Sequence, residues 1–171
     1  MRLEIKTAAE LADPGLEARW VARRHGSGAE VLRWILRAFA ERGAPVTAGE
    51  VEAAFSVWPP AAVRTELTAL DEQDVIVMMQ GEIRLAYPFS ASPTAFAVGL
   101  PDGRERFACC AIDALGIAPM LGTRIQIRTR CHHCGDPLDL AADATGPVGA
   151  GEVMVWVGKR GEGERRVCTS L

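Results

Sequence analysis

The sequence predicts an α+β chain, a helical N-terminal part closed by a hairpin and followed by a β-rich part with one short helix. Three observations carry this. Val31, Leu32, Ile35, Leu36, Phe39 and Ala40 recur at helical spacing. Two β-type runs, Val75–Met79 and Ile83–Tyr87, flank Gln80-Gly81-Glu82. Beyond Pro88, short strand-type runs surround a single helical stretch at 110–121.

Residues 1–28 read as an N-terminal extension of mixed charge. Pro14, Gly15, Gly26 and Gly28 bound a short helix around Leu16–Arg24 that exposes Arg19, Arg23 and Arg24. Residues 29–87 read as a winged helix-turn-helix-like domain. Its first helix starts at Ala29 and stops at Gly43, where a C-cap glycine belongs. Thr47 and Glu50 have capping-box spacing and open a second helix through Val51–Phe55. Pro59 and Pro60 stand where a helix start tolerates proline, and Val63, Leu67 and Leu70 continue the third helix into the hairpin.

Residues 88–171 read as a second domain, a mixed or antiparallel sheet with one short helix. Ala95–Leu100 and Arg104–Ala108 are strands around the turn Pro101-Asp102-Gly103. The helix Cys110–Leu121 is expected to break or end near Pro119 and Gly122. Arg124–Arg130 alternates as a half-buried strand does, and Leu138–Leu140, Val153–Val157 and Arg165–Thr169 are further short strands. Residues 141–152, rich in Ala, Gly, Asp and Pro, read as a loop. The four tryptophans, Trp20, Trp34, Trp58 and Trp156, are expected in the core or at domain packing.

Composition narrows the function. With 49% hydrophobic and 24% charged residues, the 171-residue chain can bury a substantial core. It has no apolar run of membrane-spanning length and no signal-peptide pattern at its start, so no membrane partner and a cytoplasmic location are expected. The net charge is −3, and the third helix sets Arg64 among Glu66, Asp71, Glu72 and Asp74. Nucleic acid is therefore a poor partner, because a recognition helix must present donors to phosphates and bases. The sequence contains no Gly-x-Ser-x-Gly elbow, phosphate-binding loop or dinucleotide fingerprint.

Chemistry concentrates in five cysteines, at 109, 110, 131, 134 and 168. Their odd number, the adjacent pair and the reducing compartment argue against a disulfide framework. Cys110 and Asp113 lie three residues apart at a helix start, hence on one face, a soft nucleophile beside a proton carrier. The first helical turn would favour a thiolate there. A buried cysteine with a local aspartate hydrogen bond accounts for the same pattern. Cys131-His132-His133-Cys134 has the form of half a tetrahedral zinc site, with Cys168 or Cys109 as a further ligand; ordinary turn residues fit equally well. Cys168 alone reads as a chance thiol on a strand.

Together these residues resemble the alkylmercury lyase family, the organomercurial lyases of MerB type. The resemblance runs from about Ala29 to Cys168 and begins with Gly43-Ala44-Pro45-Val46-Thr47 through Trp58-Pro59. It continues through Tyr87-Pro88-Phe89-Ser90 and Pro93-Thr94. Its centre is Cys110-Ala111-Ile112-Asp113-Ala114-Leu115, similar to the family's Cys-Ala-Leu-Asp-Thr-Leu type of motif. Cys131 follows at the spacing of a further family cysteine of structural type. Cys168, after Arg165-Arg166-Val167, falls where a second reactive cysteine belongs.

The resemblance implies carbon–mercury bond protonolysis. Cys110 and Cys168 would hold the mercury of a small organometallic substrate, and Asp113 would carry the proton to carbon. It implies no resident cofactor, Hg(II) as substrate and product metal, and a thiol or mercuric reductase as acceptor. The sequence departs from the better-known members at Cys109, which replaces a bulky residue, and in the extra Cys134 and two histidines. Those departures favour, as the alternative, a non-catalytic metal-binding or metal-sensing protein using Cys131, His132, His133 and Cys134, with zinc as one candidate metal.

Overall fold

The structure, a computed structural model, describes residues 4–11, 14, 18, 21, 26 and 28–156. The helix expected around Leu16–Arg24, Trp20, the strand Arg165–Thr169 and Cys168 fall wholly or mostly outside them. After a short turn of helix, α1 (Ala8–Leu11), the first long helix is α2 (Gly28–Arg42). It buries Ala29, Val31, Ile35, Ala38 and Phe39, the stripe that the periodicity predicts. Gly43 ends it at φ +64, with its N–H bonded to the Phe39 carbonyl at 2.9 Å. A side chain there would also press on Arg106, whose Cδ lies 3.0 Å from an ideal Cβ position.

Strand β1 (Val46–Thr47) leads directly into α3 (Ala48–Ala54). The capping box forms: the Thr47 hydroxyl accepts from the Glu50 N–H at 3.2 Å, and the Glu50 carboxylate accepts from the Thr47 N–H at 2.8 Å. Helix α4 (Pro60–Glu72) starts on Pro59-Pro60 and buries Val63, Leu67 and Leu70. Trp34 and Trp58 flank Phe55, with ring centroids 6.5 and 5.4 Å away, and lie against the core as expected. Trp156 does not; it is 65% exposed.

The strands form one antiparallel sheet in the order β1-β3-β4-β6-β5-β7-β8-β9, with β2 (Ile76–Met79) on the other side of β3 (Glu82–Ala86). The two-residue strand β4 (Phe89–Ser90) is the bridge within it. It pairs with β3 through Leu85↔Ser90 and Ala86↔Phe89, and with β6 (Glu105–Ala108) through Phe89↔Ala108. Strands β5 (Phe96–Gly99), β7 (Ile125–Arg130), β8 (Pro137–Asp143) and β9 (Gly146–Val148) complete it. The sheet thus crosses residue 87/88 without a break, and one apolar cluster joins Ile35, Phe39 and Ile83 to Phe89, Ile117 and Ile125.

Two local expectations are corrected, and the expected helix end near Pro119 and Gly122 is met. Residues 141–152 are not all loop, because β8 runs to Asp143 and turns into β9. The Asp143 carboxylate accepts from the Thr145 N–H and hydroxyl at 2.8 and 2.6 Å, and Gly146 takes φ +130, which closes the hairpin. Residues 153–156 carry no strand. Helix α5 (Ala111–Leu121) continues through Pro119 and stops at Gly122, in the left-handed region at φ +63. With Pro119 in the last turn, the missing N–H costs one helical bond and leaves the cap intact.

The two parts of the chain are fastened by Arg106, a buried cation that sequence reading passes over. Its Nε donates to the Ala40 carbonyl at 2.7 Å, and its Nη1 to the Glu105 carbonyl at 2.6 Å. Nη2 reaches the Glu41 carbonyl, which also receives Arg104 Nη1 at 2.7 Å. Two guanidinium groups therefore meet the last carbonyls of α2, the negative end of its dipole.

Candidate thiol–carboxylate site

The site is built at the end of β6. Ala108 is paired on one side with Phe89 and on the other with Phe96. The Thr94 hydroxyl donates to the Ala108 carbonyl at 2.6 Å and accepts from the Phe96 N–H at 3.1 Å. The Cys109 N–H donates to the Pro88 carbonyl at 3.1 Å. These bonds hold the chain just ahead of Cys110. Thr94 is a positioning residue with no local sequence signal of its own; only the Pro93-Thr94 resemblance pointed near it.

Cys110 is the N-cap of α5, in extended backbone at φ −149, ψ −179. Its sulfur accepts from the Asp113 N–H at 3.4 Å, the place a serine or aspartate oxygen takes in other caps. Its thiol donates to Asp113 Oδ2 at 3.1 Å. Both side chains are half-buried. Ala114, Ile117 and Ala118 seat α5 on the sheet, while Ile112 and Met120 remain exposed on its outer side.

Burial reverses the expected electrostatics of the thiol. Removal from water is the largest influence on Cys110 and pushes it up to about 11. The backbone N–H groups of Asp113 and Ile112 pull it down, but the Asp113 carboxylate adds to the rise. Burial also raises the Asp113 carboxyl, against the lowering effect of its hydrogen bonds with Cys110. The resting site is a protonated thiol held against an acid of raised pKa. Such a thiol is a poor nucleophile near neutral pH, because the thiolate is the reactive form.

The second cysteine motif lies at the tip of the β7–β8 hairpin. The Cys131 N–H donates to the Asp136 carbonyl at 2.8 Å, and the Gly135 N–H to the Cys131 carbonyl at 2.9 Å. The Cys134 thiol donates to Asp136 Oδ2 at 3.1 Å, and its side chain also acts on the Cys131 sulfur. Backbone N–H groups of Cys134 and His133, together with that thiol, lower the Cys131 pKa. Cys134 is raised: the Asp136 N–H lowers it, but the Asp136 carboxylate and the Cys131 sulfur outweigh that. His132 and His133 are exposed. Among the described residues no group of three or more His, Cys, Asp or Glu side chains is placed to hold a metal ion. Cys131, His132, His133 and Cys134 thus form no group of three ligands by themselves, and Cys168, one further ligand of the half-site reading, lies outside the described residues. The tight turn brings the sulfurs together but not the imidazoles.

An open cleft of about 440 Å³ lies elsewhere, between α2 and α3, lined by Trp34, Arg37, Glu41, Arg42 and Glu50 among others. It contains no cysteine. Among the described residues no helix is long and apolar enough to cross a membrane.

Residues 89–171 match the family model described as MerB, alkylmercury lyase. Cys110, Asp113, Cys131 and Cys168 all fall within that match. This part of the chain is similar to a MerB domain. Two relatives named alkylmercury lyase, from Bacillus cereus and Clostridium butyricum, are each 29% identical over 119 residues. That alignment covers 67% of this chain and 52% of each relative, so the chain spans about half the length of the relatives it matches. The crystal structure of the mercury-bound form of MerB2 shares the fold, with a TM-score of 0.64 at 24% identity. It covers 75% of this chain and 61% of that one. The antiparallel α+β architecture of this chain is thus also that of a MerB structure.

Proposed function

We propose that the MerB-like chain is an organomercurial lyase that cleaves carbon–mercury bonds by protonolysis. The observation that carries this reading is the 3.1 Å contact between Cys110 Sγ and Asp113 Oδ2 inside the segment that matches the alkylmercury lyase family. In this reading Cys110 and Cys168 bind the mercury of R–Hg⁺, and Cys110 surrenders its proton to Asp113 as the first Hg–S bond forms. Asp113 delivers that proton to carbon as the C–Hg bond breaks, and the second thiol replaces carbon on the metal. One R–Hg⁺ and two thiols give R–H, a bis-thiolate Hg(II) and one H⁺, with no change of oxidation state.

The chemistry suits the groups. Hg(II) is soft and prefers thiolates, so it can displace a proton even from a thiol of raised pKa. A carboxyl held partly away from water keeps its proton to higher pH than one in water. The metal is substrate and product; no resident cofactor enters the steps, and Hg(II) leaves to a small thiol or a mercuric reductase.

We read α2, α3, α4 and the β1–β3 strands as a winged-helix-like scaffold for this site rather than a nucleic-acid reader. Arg64 on α4 is engaged by Glu52 at 2.8 Å, and Asp71 accepts from the Met78 N–H at 2.9 Å. Arg106 and the β3–β4–β6 pairing transmit the position of that scaffold to the start of α5.

The test is incubation of the full chain with a phenylmercury salt and excess small thiol, with benzene followed by gas chromatography. Benzene above the protein-free rate, lost in Cys110→Ser and in Asp113→Ala, is the expected result. Undiminished benzene release by Cys110→Ser would overturn the reading.

A further inference from the structure

We infer that the Cys131–Cys134 turn is a second soft-metal site, a dithiol chelate for a two-coordinate thiophilic cation such as Hg(II). The sequence places two thiols three residues apart, and the hairpin tip holds both in one tight turn. The Cys134 thiol donates to Asp136 Oδ2 at 3.1 Å within the same turn that carries Cys131, and neither cysteine is in a disulfide. The backbone bonds from Cys131 to Asp136 and from Gly135 to Cys131 pre-form the turn, so little ordering is needed on binding. Gly135 at φ +77 is the residue that lets it close.

Two thiols without a third or fourth ligand decide which metal fits. Zinc in a structural site takes four ligands, and the described residues offer no such group here. A soft cation content with two sulfurs has what it needs. Each S–Hg bond would replace one S–H, releasing two protons for one Hg(II) with no oxidant or reductant. Asp136 Oδ2, 3.1 Å from Cys134 Sγ, can receive one of those protons.

The sheet register places this turn beside the first site. Strands β6 and β7 flank β5 and run in the same direction, with Phe96 paired to Ala108 and Ala97 paired to Arg128. One step along the second register brings Thr129 level with Phe96, hence with Ala108. Cys110 and Cys131 each follow two residues later, so both leave the sheet at one end, two strand positions or about 10 Å apart. Metal held at Cys110 would thus lie two strand positions from a dithiol turn in which Cys131 is half-buried and Cys134 exposed.

The site stands independently of the lyase reading, and its test leaves that reading aside. The chain with Cys109→Ser, Cys110→Ser and Cys168→Ser retains only the turn thiols. After mercuric chloride and dialysis against excess glutathione, it is expected to keep one Hg(II) per chain by elemental analysis, with a mercury–thiolate absorption band. Adding Cys131→Ser and Cys134→Ser should remove both, and in the otherwise unaltered chain the same two changes should lower bound Hg(II) by one. Circular dichroism checks that each variant is folded. Loss of all mercury to glutathione while the turn thiols are intact overturns the proposal, and so does stoichiometric zinc retention by the same thiols.

Discussion

The Cys110 thiol and the Asp113 carboxylate share one hydrogen bond at 3.1 Å, and the Asp113 N–H returns a second to the same sulfur at 3.4 Å. One helical turn therefore supplies a thiol, a proton acceptor for it and the cap of its own helix. The sheet beneath it supplies the burial that keeps both groups protonated at higher pH than they would be in water.

Cys110 is expected to alkylate slowly at neutral pH. With its pKa pushed up to about 11 from an ordinary 9.0, the protonated form is favoured in the fold. Its contribution to stability is present below the unfolded value and is lost as pH rises toward the folded one. Iodoacetamide labelling read by peptide mass spectrometry should show the Cys110 rate still climbing between pH 9 and 11, where Cys131 has levelled off. A Cys110 rate that levels off below pH 8 contradicts the buried-thiol picture.

Asp113→Asn keeps a hydrogen-bonding side chain but removes the proton carrier. Under the lyase reading, turnover of phenylmercury should fall by roughly 10²–10⁴-fold, the usual contribution of general acid–base catalysis. Hg(II) binding at Cys110 should persist, which separates loss of chemistry from loss of the site. Single-turnover benzene release and metal stoichiometry, measured on the same sample, check this.

Arg106→Met removes the buried guanidinium from the Ala40, Glu41 and Glu105 carbonyls. Leaving those acceptors without their charged donor should destabilise the fold by about 2–4 kcal/mol. Urea denaturation measures it. A change within error would mean that Arg104 alone suffices at the end of α2.

Glu50 gives an acid-side prediction. Its carboxylate accepts from the Thr47 N–H, the Arg42 guanidinium and the Thr47 hydroxyl, which lower its pKa from 4.5 to about 2. A depressed folded pKa stabilises the fold above the unfolded value and loses that contribution as pH falls through the folded one. Glu50→Gln should therefore be less stable than the parent at pH 6, by a modest amount because the pair is largely exposed, and equal to it near pH 2. Thermal melts at the two pH values test the convergence.

Much of this architecture is legible in sequence because it is local. The Val31–Phe39 stripe, the Thr47–Glu50 box, the Pro59-Pro60 start and the Cys110–Asp113 pair all depend on neighbours within one or two helical turns. Where local signals were weak, reading failed. A two-residue strand such as Phe89–Ser90 has no periodicity to detect, yet it joins the two halves of the sheet. The β8–β9 hairpin hides in a Gly- and Ala-rich stretch because its turn is made by one aspartate and one glycine. Trp156 has the composition of a core residue and stands in solvent.

The amino-acid order by itself determined the helices, their caps and the thiol–carboxylate pair, since contacts at i+3 and i+4 follow from helix geometry alone. Tertiary structure decided how those groups behave. Burial against the sheet, not position in the first helical turn, sets the protonation of Cys110, because desolvation outweighs the pull of the backbone N–H groups. Strand register, which no local spacing encodes, places the ends of β6 and β7 at the same end of the sheet, one on each side of β5.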